Sequence, residues 1–333
     1  MTMHDTTIIT GGAGFIGNHL ARHLLAKNHK VIVIDNLSNG RLKNIDDLLS
    51  NQNFTFYQID INDIQNLTIE HFDYFIHLAG LADIVPSIEK PEEYFKVNVQ
   101  GTLSCLEFVK KNSNLKKFIY AASSSCYGDF PQTPTKEMEP IHPKYPYALT
   151  KRLGEELVLH WGQVYKLPII SLRFFNVYGP KSRTNGQYGA MFGVFLKQRL
   201  DNKPLTIVGD GSQKRDFLYV SDAVQSIWMA MLSPIVNEVF NIGKGSPVSV
   251  IEIANQLSNN KVFIPKRPGE PEITWADISK AKEMLGWEPQ IDIQHGIEKM
   301  LENIDYWQDA PLWEPDSIQS ATKSWFKYLG SNH

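Results

Sequence analysis

The chain of 333 residues has only two cysteines, Cys105 and Cys126. Two thiols provide neither a disulfide framework nor a zinc ligand set, and they suit a reducing compartment, so a cytoplasmic location is expected. No run approaches the roughly 20 apolar residues of a membrane span, and the N-terminus lacks the charged and long apolar regions of a secretory signal. An excess of one charge is missing too: 33 Lys and Arg stand against 36 Asp and Glu, a net charge of -3. That balance argues against a general nucleic-acid binder and makes any anion site a local feature. No internal repeat or low-complexity tract is evident. What remains, with 42% hydrophobic and 21% charged residues, is an ordinary globular composition, long enough for one large or two modest domains.

Along the first half, short β-branched runs alternate with longer amphipathic stretches. TTIIT (6 to 10), KVIVID (30 to 35), FTFYQID (54 to 60), YFIHLAG (74 to 80), KFIYAAS (117 to 123) and PIISLRF (168 to 174) read as buried strands. They are too uniformly apolar to have one wet face. Strand and helix in alternation therefore predict an α/β fold with a doubly wound parallel sheet covered on both sides. After Gly179 the texture changes: KSRTNGQYG, GKGSPVS and KRPGEP are rich in turn formers. We expect a Rossmann domain over 1–178, rejoined by about 217–245 through VFNIG, and a smaller α/β domain over 179–333.

Between the first strand and the first helix lies TGGAGFIGNHL, with Gly11, Gly14 and Gly17. Glycines there permit a tight turn, let a backbone approach a pyrophosphate, and leave helix N-terminal amides aimed at phosphate charge. The second strand ends in Asp35, about twenty residues on, where a carboxylate can accept from both ribose hydroxyls and repel a 2′-phosphate. NAD is thus expected over NADP, although Arg41 in the same loop could receive a phosphate. Asp60 and Ile61 offer a carboxylate and an apolar cover for the adenine.

Tyr147 and Lys151, in YPYALTK, stand four apart on a helix and so share a face. A phenol titrates near ~10 and an ammonium near ~10.4, so the ammonium, with any cationic cofactor, is expected to favour the phenolate and make it a usable base. Upstream, AASSSCYG places Ser123, Ser124 and Ser125 at the C-terminal end of the fifth strand, where ligands of open α/β sheets bind. Serine runs more often make turns. Here a hydroxyl, a phenol and an ammonium could converge on one carbon that bears oxygen, which suits hydride transfer.

The segments TGGAGFIG, DNLSNG, HLAGLAD, NVQGT, SSSCYG, YALTK, RFFNVYGP, GDGSQKRDF, KRPGEP and ADISKAKEMLGW occur in that order. From residue 6 to about 290 the chain thereby resembles the extended short-chain dehydrogenase/reductase family. It is most similar to the nucleotide-sugar epimerases and dehydratases, those acting on UDP-glucose or UDP-N-acetylglucosamine above all. The resemblance implies tightly bound NAD, a C-terminal site for a nucleotide sugar, and a role in carbohydrate metabolism such as polysaccharide biosynthesis. Within it, Tyr147 is the base, Lys151 holds the nicotinamide ribose and the phenol, and Ser123 donates a hydroxyl. Further implied cofactor contacts are Gly11, Gly14, Phe15, Ile16 and Asp35, then Asn36, Asn39, Gly40, Asp60 and Ile61. Leu78, Ala79, Gly80, Asn98 and Ala121 complete that set. Asn176, Arg215 and Arg267, with Ser123 and Ser124, would face the sugar nucleotide, the arginines supplying a local cationic site for its pyrophosphate.

In the family's 4,6-dehydratases an Asp and a Glu follow the hydroxyl residue. Here those positions are Ser124 and Ser125, neither a competent acid or base at neutral pH. The resemblance then implies 4-epimerisation of a UDP-hexose through a transient 4-keto sugar. A UDP-glucuronate 4-epimerase or decarboxylase, another nucleotide-sugar dehydratase or reductase, and a non-catalytic NAD-binding regulator stay open as alternatives. Two departures bear on substrate. Ala82 stands where UDP-galactose 4-epimerases have Lys, and Thr274 stands where some glucose-selective members have a bulky Tyr. A small residue at 274 leaves room for a 2-acetamido group, or simply packs against its loop.

The tail after residue 300, with Trp307, Trp313 and Trp325, falls outside the resemblance. Its tryptophans are expected to pack onto the body or to offer a partner surface. Leu149, Leu153, Leu157 and Trp161 repeat every four residues opposite Tyr147, a stripe that must be buried. In the family it joins the preceding helix, here near 93 to 111, in a homodimer. Cys105 and Cys126 read as small core residues.

Overall fold

The computed structural model describes residues 5–129, 132–182 and 190–330. Most of the turn-rich KSRTNGQYG segment lies outside the described residues. The first half builds β1 (Thr6–Thr10), α1 (Phe15–Ala26), β2 (Lys30–Ile34), β3 (Phe54–Tyr57) and β4 (Tyr74–His77), then α2 (Ile84–Glu89), α3 (Pro91–Phe95) and α4 (Gly101–Val109). There follow β5 (Lys117–Ser123), the 20-residue α5 (Pro146–Tyr165), β6 (Ile169–Phe174) and β7 (Asn176–Tyr178). The second half comprises α6 (Met191–Leu200), β8 (Leu205–Val208), β9 (Lys214–Arg215), β10 (Phe217–Tyr219) and α7 (Val220–Leu232). It continues with β11 (Glu238–Ile242), β12 (Val248–Ser249), α8 (Val250–Leu257) and β13 (Lys261–Ile264). Four helices close the chain, α9 (Ser279–Leu285), α10 (Ile293–Glu302), α11 (Pro315–Ala321) and α12 (Lys323–Leu329).

Seven strands form one sheet in the order β11-β6-β5-β4-β1-β2-β3, and every pairing is parallel. The order reverses beside β1, which opens a crevice at the C-terminal strand ends, the place where such sheets take ligands. Successive side chains of a strand point to opposite faces. Accordingly Ile8 joins one core, with Phe75, Leu106, Phe118 and Val158, while Ile9 joins the other, with Leu20, Leu24, Ile227, Phe240 and Trp287. A third core, around Phe192, Phe195, Ile253, Met300 and Trp307, packs the second half together and buries Trp307 fully.

Within the single chain the stripe on α5 stays partly exposed. The face turned into the protein is Ala148, Lys151, Gly154, Glu155, Val158 and Gly162, whereas Leu149 is 44% exposed and Leu153, Leu157 and Trp161 are half-buried. Small residues explain the choice. A Cβ on Gly154 would come within 2.3 Å of Tyr120 Oη, so the missing side chain lets α5 lie close on β5. The segment expected as one helix near 93 to 111 is α3 and α4 joined by a π-helical turn, Lys96–Gln100.

Candidate active site

A cleft of about 720 Å³ runs from the glycine turn, past the ends of β4 and β5, to the loops after β9 and β13. Its glycines are forced by close approach. Gly11 has φ +71°, and a Cβ there would sit 2.7 Å from the Ala79 backbone nitrogen. A Cβ on Gly17 would stand 2.3 Å from Gly11 O. No side chain caps α1 at Gly14, so its first amides, at Phe15 and Ile16, are left for an anion. Asp35 is buried, accepting from the Ala13 amide at 3.0 Å and the Leu37 amide at 2.8 Å. Burial raises its carboxyl above the usual range, with both amide bonds opposing. Asn36 donates to Asp60 at 2.8 Å, and Asp60 caps the turn that starts at Ile61. Asn39, Gly40, Leu78 and Ala121 line the same lobe. The Arg41 guanidinium lies 5.9 Å from the Tyr306 ring, stacked on the tail.

At the centre of the cleft, the Tyr147 hydroxyl donates to Ser123 Oγ at 3.0 Å, and Ser123 Oγ lies 2.8 Å from Ser125 Oγ. Ser124 is buried in the turn that follows β5. Lys151 is buried on the same helix face, its Nζ 4.4 Å from the Tyr120 ring. Burial pushes the ammonium down to about 8, with Glu155 opposing. Burial also raises Tyr147 above its ordinary value, only partly offset by the Ser123 hydrogen bond and reinforced by the Asp83 carboxylate. The phenol is therefore raised rather than lowered, with desolvation as the largest cause.

Asn98 occupies the π-helical turn and ties the site together. It accepts from the Leu81 amide at 2.8 Å and donates to Leu81 O and to Thr150 Oγ1, each at 3.0 Å. The loop after β4, with Gly80, is thus linked to the helix carrying Tyr147. Irregular helical turns of this kind recur at functional sites.

At the far end, Arg215 is already held by protein partners. It donates to Glu270 at 2.9 Å and to the carbonyls of Pro271 and Lys214 at 2.8 and 2.9 Å. Glu270 also lies 4.0 Å from Arg267, so one carboxylate offsets part of the charge of both arginines. Thr274 is buried and donates to Asn176 Oδ1 at 3.0 Å, which orients the exposed Asn176 amide beyond either role foreseen for it. Sequence reasoning missed Glu270, Asp83, Tyr145 stacked beside Tyr147 at 6.2 Å, and Trp325 on the cleft wall. Glu270, Asp83 and Tyr145 gave a signal, as members of KRPGEP, HLAGLAD and YPYALTK.

A parallel sheet with a glycine turn under its switch point and a Tyr-x-x-x-Lys helix at its carboxyl edge defines a nucleotide-binding enzyme fold of the short-chain dehydrogenase type. The family model for GDP-mannose 4,6 dehydratase matches residues 8–300, and the chain belongs to that family, within the extended short-chain dehydrogenases/reductases. A Bacillus subtilis protein named as an uncharacterized UDP-glucose epimerase is 37% identical over 306 residues, 87% of this chain and 95% of its own. The UDP-glucuronic acid 4-epimerase of Bacillus cereus, solved with UDP-glucuronic acid and NAD, matches at TM-score 0.82 and 34% identity over 90% of this chain and 99% of that one. The UDP-N-acetylglucosamine 4-epimerase of Methanobrevibacter ruminantium, solved with UDP-N-acetylmuramic acid, gives TM-score 0.84 and 31% identity over 92% and 99%. Among the described residues no helix is long and apolar enough to cross a membrane.

Proposed function

We propose that this chain is an NAD-dependent nucleotide-sugar 4-epimerase that inverts C4 of a UDP-hexose. The observation that carries the reading is the meeting of Tyr147, Ser123 and Lys151 in one cleft, with serines at 124 and 125 where an eliminating enzyme of the family has acids. UDP-glucose and UDP-galactose are the primary substrates in this reading, with UDP-N-acetylglucosamine and UDP-N-acetylgalactosamine added if Thr274 leaves the room.

The dinucleotide lobe fits NAD: a cradle that a Cβ would fill at Gly11, uncapped amides at α1, and Asp35 placed for ribose hydroxyls. Bound there, NAD supplies a reversible hydride acceptor and a positive charge. Tyr147 removes the O4 proton as the C4 hydrogen leaves, and Ser123 holds O4 in line. Lys151, on the same face, keeps the phenol oriented and favours its ionised form once the cofactor's charge is present. After the 4-keto sugar turns over within the cleft, the hydride would return to the opposite face of C4 as Tyr147 gives the proton back to O4. Asn98 holds the Gly80 loop against α5 throughout. Asn176, Arg215 and Arg267 take the sugar nucleotide.

The division into a dinucleotide-binding part, 1–178 rejoined by about 217–245, and a substrate part, mainly 179–333, belongs to the same proposal. So does a homodimer through the half-exposed Leu149, Leu153, Leu157 and Trp161 with Phe95, which is 48% exposed. Two unpaired, buried cysteines favour a reducing, cytoplasmic location. Incubation with a panel of UDP-sugars, without added cofactor and with products identified by NMR, tests the activity. Interconversion of a C4 pair is expected. Products lacking water or carbon dioxide, or no turnover at all, would replace the reading, and the relatives make UDP-glucuronate an essential member of the panel.

A further inference from the structure

The matched family span ends at residue 300, yet the chain beyond it builds a wall of the cleft. Trp325, on α12, is 5% exposed and borders the cleft beside Arg267, Gly269 and Glu270. Its indole N–H donates to the Pro268 carbonyl at 2.7 Å, and its ring lies 5.4 Å from the Arg267 guanidinium. The neighbouring Ser324 hydroxyl donates to Glu89 Oε1 at 2.7 Å, and α12 packs on α2. α2 contributes Ile84 and Val85 to the lining of the same cleft. The tail helix therefore braces the 267–271 loop against an element of the dinucleotide-binding half. Gly269, at φ +67°, lets that loop turn directly beneath α12, where a Cβ would stand 4.0 Å from Leu329 Cβ.

We propose that Trp325 is a positioning residue for the diphosphate of the bound nucleotide sugar, an inference that rests on the reading of the cleft given above. An arginine has many rotamers, and ordering it at the moment of binding weakens affinity. Trp325 does that ordering beforehand in two ways. Its ring lies under the guanidinium, 5.4 Å away, and that cation–π contact narrows the side chain's rotamers. Its N–H fixes the carbonyl next to Arg267, so the backbone that carries the cation stays in place. Glu270 holds the arginine from another side, at 4.0 Å. A diphosphate entering between Arg215 and Arg267 meets a cation already aimed.

The test uses the full chain with its copurified cofactor and UDP as the probe, titrated calorimetrically into wild type, Trp325→Ala and Trp325→Phe. Trp325→Ala is expected to bind UDP roughly tenfold more weakly, and Trp325→Phe, which keeps a ring but loses the N–H, roughly threefold. KM for the accepted sugar should rise in the same proportion while kcat and NAD content stay near wild type. Unchanged UDP affinity in Trp325→Ala overturns the positioning role, as does a fall in kcat or NAD content with UDP affinity intact. Should Trp325→Ala melt early, the Phe variant decides by the same comparison. Failure of the wild-type chain to bind UDP would overturn the nucleotide-sugar reading itself.

Discussion

The Tyr147 hydroxyl donates to Ser123 Oγ across 3.0 Å, joining the first turn of α5 to the last residue of β5. The proposed base and the proposed donor to its substrate are thereby set by two regular elements, which hold geometry better than loops. Replacing Tyr147 by Phe should leave the fold and bound NAD intact and lower kcat by about 10³-fold, the scale of one general base. Ser123→Ala keeps the base and should cost about 10²-fold. Rates from a coupled assay, with NAD content measured on the same samples, check both.

Lys151 carries a conflict between stability and activity. Its pKa in the folded, ligand-free chain is about 8, against an ordinary 10.5, because burial disfavours the ammonium. The unfolded chain therefore binds more protons between about pH 8 and 10.5, and stability from this residue rises with pH across that window. Below about 8 the penalty is present in full. Lys151→Met should raise the melting temperature of NAD-stripped protein by about 2–6 °C at pH 7, fading towards pH 10, while abolishing turnover. A variant that melts lower at pH 7 would show that the contact with the Tyr120 ring outweighs desolvation.

The sheet was legible because its strands are apolar on both faces: TTIIT and KFIYAAS are β1 and β5 as read, and the other strands differ only at their carboxyl ends or by a residue. There the chain leaves the sheet to form the cleft, and period-2 patterning stops. The glycine turn, Asp35, Ser123, Tyr147 and Lys151 could be found because each is local to one motif. Pairings across the chain could not. Glu270 meets Arg215 from 55 positions away and Trp325 meets Arg267 from 58, and no spacing rule reaches that far. The inward face of α5 escaped the reading for another reason. Hydropathy singled out leucines, while the helix buries glycines and two charged residues, Lys151 and Glu155, the second held by Arg173, Ser171 and Arg152.

Glu155 is the deepest of those charges. It accepts from Ser171 at 2.7 Å, from Arg173 at 2.9 Å and from Arg152 at 2.7 Å, which pins α5 to β6 beneath the site. Burial would raise its carboxyl, but Arg173 and the hydrogen bonds hold it below the usual range. Glu155→Gln leaves the Arg173 guanidinium buried without its counter-charge and should destabilise by about 3 kcal/mol, read as a lower urea midpoint at unchanged slope. A carboxyl with a depressed folded pKa stabilises above its unfolded pKa and loses that contribution as pH falls. The gap between wild type and Glu155→Gln should therefore close on acidification below about pH 4.5.

Thr274 decides between room and orientation. Its hydroxyl donates to Asn176 Oδ1 at 3.0 Å and accepts from the Asp216 amide at 3.2 Å, so removing it frees the amide that faces the cleft. Thr274→Val keeps the volume and should lower kcat/KM for every accepted UDP-sugar by about fivefold, the scale of one lost hydrogen bond. Thr274→Tyr fills the space as well, and should lower kcat/KM for acetamido sugars at least tenfold beyond its effect on UDP-glucose. The ratio of acetylated to plain sugar is the measurement that separates the two. If Thr274→Tyr leaves that ratio unchanged, the acetamido group does not sit at this residue, and Thr274 serves only to aim Asn176.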